Sequence, residues 1–284
     1  MSALAEPALK RLRQRTRGIS ALSIVSAAIL VIFVVLALAS SWIVPYDPTA
    51  GDFTAILQDP SAEHWLGTDQ QGKDVLSMLI GGAWTSLLGP LGVVVVSTVL
   101  GFVVGMVAGW RGGWVDSVLS RGMDILFAFP ALLLAILAVS LFGKGLTAAT
   151  VAMSIAYLPY TARLVRGVVL QERARPYVLA YKGLGLSDTF IAVRRVLPNI
   201  APLVLAQSAI NFGYALLDLA AISFLGLGVQ PPEPDWGAMI NGGQSALLAG
   251  APYAALAPAV AIVIVVIAFN EVGEELADRI QGIS

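Results

Sequence analysis

Residues 21–44 read ALSIVSAAILVIFVVLALASSWIV, a run without a single charged side chain. A helix that crosses the hydrocarbon core of a bilayer needs about 20 mostly apolar residues in a row. The run therefore predicts a first transmembrane helix over 21–44, behind a basic cytoplasmic tail over 1–20. Composition agrees, because 57% of the residues are hydrophobic and 12% are charged, whereas a soluble domain carries about 25% charged residues. We expect an all-α integral membrane protein.

Five further apolar windows predict transmembrane helices, which brings the expected total to about six: 86–109, 125–143, 145–162, 197–224 and 253–270. The window that begins at residue 75 is too long for one span, so we expect a short surface helix over 75–83 before the second span. The predicted organisation is a tail, a first span, an outer loop with that surface helix, a five-helix core and a second tail: 1–20, 21–44, 45–84, 85–273 and 274–284. Within the core we expect an inner loop over 166–198 and an outer loop over 226–252.

The positions of the basic residues predict the orientation. Cytoplasmic segments of membrane proteins carry an excess of Lys and Arg. With six spans and a cytoplasmic N-terminus, all but Lys73 and Lys144 of the 17 Lys and Arg residues face the cytoplasm. We therefore expect both termini to be cytoplasmic.

Several kinds of chemistry are excluded or disfavoured by residue counts. The chain has no cysteine, so it cannot form disulfides, thiolate metal sites or a cysteine nucleophile. His64 is the single histidine, which argues against a histidine-based metal site or proton relay. The net charge of -1 provides no general attraction to nucleic acid. No second copy of the six-span pattern is visible, so a two-fold pore would require another chain.

One segment imitates a nucleotide site. Residues 67–74 read GTDQQGKD and nearly match the phosphate-binding pattern G-x-x-x-x-G-K-[ST]. That pattern needs a hydroxyl at its last position to bind magnesium, and Asp74 places a carboxylate there instead. The expected topology also puts the segment outside the cell. If the chain uses ATP, another protein must bind it.

The inner loop over 166–198 predicts a short helix that needs a partner. Pro176 suits the first position of a helix, where no N–H donor is required, and Gly185 is a natural stop. The apolar side chains between them, on Tyr177, Leu179 and Tyr181, cannot be buried by so short a helix alone. They require either the membrane surface or the groove of a partner protein, and the residues leave both open.

Two features lie inside the predicted spans. Gly101, Gly105 and Gly109 clear one helix face for close approach, either to another helix of this chain or to a second subunit. Asp218 interrupts the fifth span and, with Asn211 and Gln207, is a candidate for the wall of a translocation path. The alternative is an interfacial Asp218 bonded to Gln207 or Tyr214. Near the inner start of the third span, we expect Asp124 to pair with Arg121.

Three segments resemble those of one family. Residues 64–74, HWLGTDQQGKD, are similar to H-W-L-G-T-D-x-x-G-R-D, and residues 223–232, SFLGLGVQPP, to S-F-L-G-L-G-x-Q-P-P. Residues 177–199 resemble the EAA loop, with the family's Ala, Gly and Leu-Pro positions in register: Ala180, Gly185, Leu197 and Pro198. Together the three matches resemble ABC-importer permeases of the dipeptide, oligopeptide and nickel family, of the second or C-type kind.

The resemblance implies a type I importer permease fold in the bacterial plasma (inner) membrane. It implies as partners a homologous B-type permease subunit, two cytoplasmic ATPase subunits that carry ATP and Mg, and an extracytoplasmic binding protein that delivers di- or oligopeptides. No catalytic residue, metal or cofactor is expected on this chain. The inner loop would be the ATPase-coupling loop, through Pro176, Tyr177, Leu179, Ala180, Tyr181, Gly185, Leu197 and Pro198.

The sequence departs from the family pattern at the coupling loop. Leu179 stands where the family has glutamate, and Tyr181 replaces its second alanine. The loop would then engage an ATPase by shape and apolar contact rather than by an ion pair. A nickel chelate or another small solute carried by the same machinery remains an alternative cargo. An ion-coupled secondary transporter is a further alternative, but it would need coupling-ion ligands and usually an internal repeat. An intramembrane enzyme would lack a base for its nucleophile.

Overall fold

The computed structural model describes residues 20–283, so nearly all of the predicted basic tail over 1–20 lies outside the described residues. Within residues 20–283 we number twelve α-helices in chain order: α1 (Ala21–Leu38), α2 (Ser40–Ile43), α3 (Val75–Arg111), α4 (Gly113–Phe127), α5 (Ala131–Phe142), α6 (Leu146–Arg173), α7 (Pro176–Gly183), α8 (Asp188–Ile191), α9 (Leu197–Phe224), α10 (Trp236–Gly242), α11 (Gln244–Leu248) and α12 (Tyr253–Ile283). A π-helical turn, Ala192–Val196, joins α8 to α9. The all-α prediction is confirmed for the part of the chain that the structure describes.

The long helices form a bundle with two distinct ends. At one end, Ser23 of α1 donates hydrogen bonds to Glu271 and Glu275 of α12. At the other, the backbone N–H of Tyr46 donates to the hydroxyl of Ser77, in the first turn of α3. We call the first the basic end, because it also carries the arginine-rich segment between α6 and α9, and the second the loop end. Helix α3 packs along α6 in the same direction, and α9 runs back between α3 and α12.

Four helical stretches within residues 20–283 are long and apolar enough to cross a membrane: α1, α3, the continuous stretch from α8 through α9, and α12. The pair α4 and α5 would add a fifth if it is one broken span. Helix α6 has 28 residues and therefore rises about 42 Å, which exceeds a hydrocarbon core of about 30 Å, but it is less apolar. The helix predicted over 197–224 has those bounds, whereas the total of about six spans stays a prediction.

The predicted surface helix over 75–83 is wrong as a separate element, because α3 continues unbroken from Val75 to Arg111. The boundary placed between residues 84 and 85 therefore falls inside this helix. Protein, rather than lipid, surrounds the first turns of α3. The indole of the fully buried Trp236 donates to the carbonyl of Leu79 at 2.9 Å, and the hydroxyl of Thr85 donates to the carbonyl of Pro234. These contacts let the helix project beyond the length that a bilayer requires.

The predicted third span over 125–143 is also wrong as a single helix. Helix α4 ends at Phe127, α5 begins at Ala131, and their axes differ by 82°. Pro130 explains the break, because proline lacks an N–H donor and restricts the residue before it. Helix α5 has 12 residues and rises about 18 Å, too little to cross the hydrocarbon core alone.

Two helices run past their predicted ends at the basic end. Helix α6 continues beyond residue 162 to Arg173, so the first part of the predicted inner loop over 166–198 is helical. Helix α12 continues beyond residue 270 to Ile283, so the described part of the predicted tail over 274–284 is helical too. In both cases charged residues that end a transmembrane window do not end the helix. Ion pairs one turn apart, such as that of Arg279 with Glu275, support such extensions.

Candidate coupling loop and translocation face

The short helix α7 begins and ends where the sequence predicts. Pro176 occupies its first turn, where the missing N–H costs nothing. Gly185 follows it with φ of +79°, a left-handed conformation that favours glycine. The N–H of Gly185 donates to the carbonyl of Lys182, and that of Leu186 to the carbonyl of Tyr181. These two bonds form a Schellman motif, which stops the helix and turns the chain toward α8.

One side of α7 is anchored to the basic end of the bundle. Val178 is fully buried with Val165 and Val169 of α6 and with Ile200 of α9. Such a contact fixes the position of a helix that is too short to be stable alone. The contact therefore ties α7 to α6 and α9.

Tyr177 and Glu172 provide the polar part of this anchor. The phenol of Tyr177 donates to the buried carboxylate of Glu172, and it accepts a hydrogen bond from the side chain of Asn199 at 3.2 Å. Arg175 forms an ion pair with the same carboxylate at 2.8 Å. Burial, together with the bond to Glu172, raises the pKa of Tyr177 above its ordinary value, so the phenol remains a neutral donor. Sequence analysis missed Glu172, although its spacing to Arg175 is typical of a helical ion pair.

The other side of α7 is apolar and exposed. Leu184 is 76% exposed, and Leu179 and Ala180 are exposed beside it, while Tyr181 is half-buried. Leu186 and Phe190 extend this surface toward α8. Exposed apolar residues grouped on one surface, next to charged residues, are typical of a protein-binding site.

A second contact missed by sequence analysis joins α7 to α3. The ammonium of Lys182 lies 5.3 Å from the centre of the Trp110 ring, a cation–π geometry, and also pairs with Asp188 at 3.0 Å. Across the loop, the guanidinium of Arg195 lies 5.0 Å from the Tyr181 ring. The contact with Trp110 connects α7 to a continuous helix whose other end lies at the loop end of the bundle.

Leu197 and Pro198 begin α9 immediately after the π-helical turn. Proline removes the N–H that would have bonded to the carbonyl four residues earlier, and its ring clashes with that carbonyl. The wider π-helical turn before it accommodates this clash. Leu197 and Pro198 therefore determine the backbone geometry at the junction between the π-helical turn and α9.

The three predicted packing glycines all lie against α6. A Cβ atom on Gly101 would lie 2.8 Å from the Thr161 side chain, and one on Gly105 would lie 2.4 Å from the carbonyl oxygen of Ala162. On Gly109 it would lie 2.9 Å from Val169. The small-residue face thus allows α3 and α6 of this chain to approach closely, as in other membrane helix pairs.

The three candidate path residues lie on α9 but form two separate groups. The side-chain amide of Gln207 donates to the side-chain oxygen of Asn211 at 3.2 Å, and Asn211 is buried. Asp218 lies nearly two turns further along and accepts a hydrogen bond of 2.8 Å from the phenol of Tyr157 on α6. The expected bond from Asp218 to Gln207 or Tyr214 is therefore wrong. Sequence patterns do not determine the register between α6 and α9, so Tyr157 could not have been chosen as the partner.

Aromatic and charged side chains extend this group toward the basic end. The rings of Tyr157 and Tyr160 lie 5.6 Å apart, and those of Tyr160 and Phe127 lie 4.8 Å apart. The guanidinium of Arg163 lies 4.0 Å from the centre of the Phe127 ring and pairs with Asp124 at 2.7 Å. The expected pair of Asp124 with Arg121 is wrong, because α6 places Arg163 against the end of α4. We call the set Asp124, Phe127, Tyr157, Tyr160, Arg163, Tyr214 and Asp218 the polar face.

The two segments that the sequence predicts to be outer loops meet around the first turns of α3. Asp74 caps α3 by accepting from the N–H and the hydroxyl of Ser77, both at 2.7 Å, and it also pairs with His64 at 3.0 Å. Asp235 caps α10, and burial raises its pKa above the ordinary value. A cleft of about 180 Å³ lies between the segments, with Lys73 and Glu233 among its lining residues. The two motifs that carry the resemblance thus lie together at the loop end of the bundle.

Two protein-family models match the chain. The family of binding-protein-dependent transport system inner membrane components matches residues 101–281, and the N-terminal TM domain of oligopeptide transport permease C matches residues 8–60. The chain belongs to this permease family.

Individual relatives agree. The permease is 36% identical over 260 residues to the glutathione transport system permease protein GsiD of Escherichia coli O6:K15:H31 (strain 536 / UPEC), with 91% of this chain and 86% of the relative covered. GsiD of Shigella boydii serotype 4 (strain Sb227) matches to the same extent. An inward-facing structure of the MetNI methionine ABC transporter has the same fold, with a TM-score of 0.59 at 21% identity, over 72% of this chain and 96% of that chain.

These findings confirm the resemblance and the fold class. The permease is a multi-pass membrane subunit of an ABC importer, of the oligopeptide-permease type, and has the type I importer fold. In this family the ATPase activity belongs to separate subunits.

Proposed function

We propose that this permease forms, with a homologous B-type subunit in the bacterial plasma membrane, the translocation path for di- or oligopeptides delivered by an extracytoplasmic binding protein. The observation that carries the proposal is the polar face, which brings a carboxylate, an ion pair and tyrosines together on α4, α6 and α9. Such groups are costly against lipid and line cavities or contacts between helices. The glutathione named for the relatives is itself a short peptide, which supports this cargo over a nickel chelate or another small solute.

The coupling loop is proposed to receive the ATPases. Its exposed surface around Leu179 and Leu184 fits an apolar groove, while Val178 and Tyr177 tie the other side of α7 to the bundle. Closure of two cytoplasmic ATPase subunits on ATP and Mg would push α7, and the anchor would transmit the displacement to α6 and α9. In this proposal the permease itself binds no nucleotide.

Because Leu179 replaces the family's glutamate, we propose that apolar contact carries the coupling. Arg194 and Arg195 are exposed nearby and would add a rim of charge to the contact. Rim charges contribute more to association rate and orientation than to affinity. The contact should therefore tolerate high salt better than one built on a buried ion pair.

Co-purification tests the proposal most directly. The tagged permease, expressed in its native host, should purify with a second permease and an ATPase. After reconstitution, ATP hydrolysis should rise when the peptide-loaded binding protein is added. Uptake by the permease alone, driven by an ion gradient, would contradict the proposal and support the secondary transporter.

A further inference from the structure

The polar face contains a carboxylate with unused binding capacity. Within residues 20–283, Asp218 has one hydrogen-bond partner, the phenol of Tyr157. An ionised carboxylate can accept about four hydrogen bonds, and the Asp218 side chain is half-buried rather than enclosed. Asp218 lies six residues before the end of α9 at Phe224, about 9 Å along the helix axis. The unused oxygen positions thus lie on the part of α9 that is nearer the loop end.

Tyr157 contacts this carboxylate, and two further tyrosines lie near Tyr157 or near Asp218 along α9. Tyr157 is buried, and its ring lies 5.6 Å from that of Tyr160, which is 48% exposed. Tyr214, on the same helix as Asp218 and one turn before it, is 54% exposed, and side chains four residues apart on a helix are neighbours. The group therefore combines one anionic oxygen pair with aromatic rings and hydroxyls that are open at the surface of this subunit.

No cation of the described residues neutralises Asp218. The nearest arginine of the polar face, Arg163, is already paired with Asp124 and stacked on Phe127. A carboxylate at membrane depth without a cationic partner is costly, unless a cation from elsewhere approaches it. Carboxylates and tyrosine rings both bind ammonium groups, the first through charge-assisted hydrogen bonds and the second through cation–π contact.

We infer that Asp218, with Tyr157, Tyr160 and Tyr214, forms a subsite that binds the α-ammonium group of a peptide during translocation. This inference rests on the proposed function. The subsite favours cargo with a free amino terminus and reads no side chain. Because it is open on one side and contributes a single negative charge, it holds the cargo weakly and releases it onward toward the basic end.

Thiol labelling tests the subsite without any knowledge of the natural cargo. The chain has no cysteine, so Tyr214→Cys introduces a single reporter beside Asp218 in the assembled importer. A cationic methanethiosulfonate should label this cysteine at least about tenfold faster than an anionic one of similar size, because the carboxylate attracts the cation. Adding Asp218→Asn, which keeps the hydrogen bond to Tyr157, should remove most of this ratio. Val260→Cys, on the exposed side of α12, is the control and should react slowly with both reagents.

Dialanine then tests for the ammonium itself. At millimolar concentration it should slow the labelling of Tyr214→Cys by several-fold, whereas N-acetyl-dialanine should not, and neither should act on the Asp218→Asn variant. Equal labelling by the two reagents, or equal protection by the two peptides, would overturn the inference. Failure of both reagents to reach residue 214 in the importer would overturn it as well, since a partner helix or lipid would then cover the group. The co-purification result is independent of all these outcomes, so the proposed function can survive their failure.

Discussion

The side of the permease formed by α12 and the polar face on α4, α6 and α9 both expose side chains, yet the exposed side chains differ in polarity. Along α12, the exposed residues between 256 and 267 are all aliphatic: Leu256, Val260, Val263, Ile264 and Ile267. The polar face exposes tyrosines and an ion pair instead. Hydrocarbon cannot hydrogen-bond to hydroxyls or guanidinium groups, so the first surface suits lipid and the second suits water or a partner. The difference favours the polar face, rather than α12, as the side of this subunit that faces the proposed translocation path.

The strongest way to break this comparison is to place the same carboxylate on each surface. Val260→Asp puts an unpaired charge among lipid tails, which costs about 2.5–3.5 kcal/mol for a residue at a helix centre. We expect roughly a hundredfold shift away from correctly inserted protein, measured by glycosylation mapping or by protease protection. The corresponding variant on the polar face, Tyr214→Asp, should insert normally, because in the proposed path this surface contacts water.

Equal insertion of the Val260→Asp and Tyr214→Asp variants would show that the two surfaces face the same medium. In that case the polar face would not line the translocation path. Val260→Thr serves as a matched control, since it changes shape little and carries no charge.

A third surface, the coupling loop, sharpens the comparison, because its apolar residues are exposed but lie at the basic end. Gly185→Trp should leave insertion intact and reduce transport by at least about tenfold, since a side chain at φ of +79° costs about 1–2 kcal/mol in the left-handed conformation and adds bulk at the contact. Uptake by the reconstituted importer measures the loss. The control is Gly183→Ala, in the last turn of α7, where a Cβ atom meets nothing within 4 Å. Normal uptake by the Gly185→Trp variant would contradict a coupling role.

A smaller effect is expected when acids replace two exposed leucines, Leu179 of α7 and Leu184 directly after it. Leu184→Asp should insert normally, unlike Val260→Asp, and should weaken ATPase association several-fold, because apolar area leaves the contact. Leu179→Glu should be tolerated, since it restores the residue found in the family pattern. ATPase recovered with the tagged permease measures both changes. Severe loss of ATPase with Leu179→Glu would show that apolar contact at this position outweighs the family pattern.

The sequence predicted well those features that depend on neighbouring residues along the chain. Pro176 and Gly185 set the limits of α7, and the apolar window over 197–224 coincides with α9, because both depend on local backbone chemistry and hydropathy. It failed where a distant segment decides. The helix predicted over 75–83 does not end there but continues as α3, whose first turns contact Trp236, and hydropathy alone gives no sign of that contact.

The candidate site shows the same limit. Gly101, Gly105 and Gly109 could be recognised as a packing face, but their partner α6 could not be chosen. The partners of Asp218 and Asp124 were wrong for the same reason: Tyr157 and Arg163 both come from α6, whose rotation relative to α4 and α9 is set by packing. Glu172 was missed because its role as an anchor appears once Tyr177 and Arg175 fold back on it.

The ion pair of the polar face offers the finest test, because its energy depends on the medium around it. Arg163 and Asp124 are both largely exposed, and an exposed pair in water contributes about 0.2–1 kcal/mol. A double-mutant cycle with Arg163→Gln and Asp124→Asn should therefore give a coupling energy below about 1 kcal/mol in thermal unfolding of the detergent-solubilised importer, and it should shrink further at high salt. A coupling of several kcal/mol that resists salt would mean that the pair is enclosed by lipid or by a second subunit. The polar face would then be an interface rather than the wall of a water-filled path, and the contrast with α12 would become one between lipid and protein.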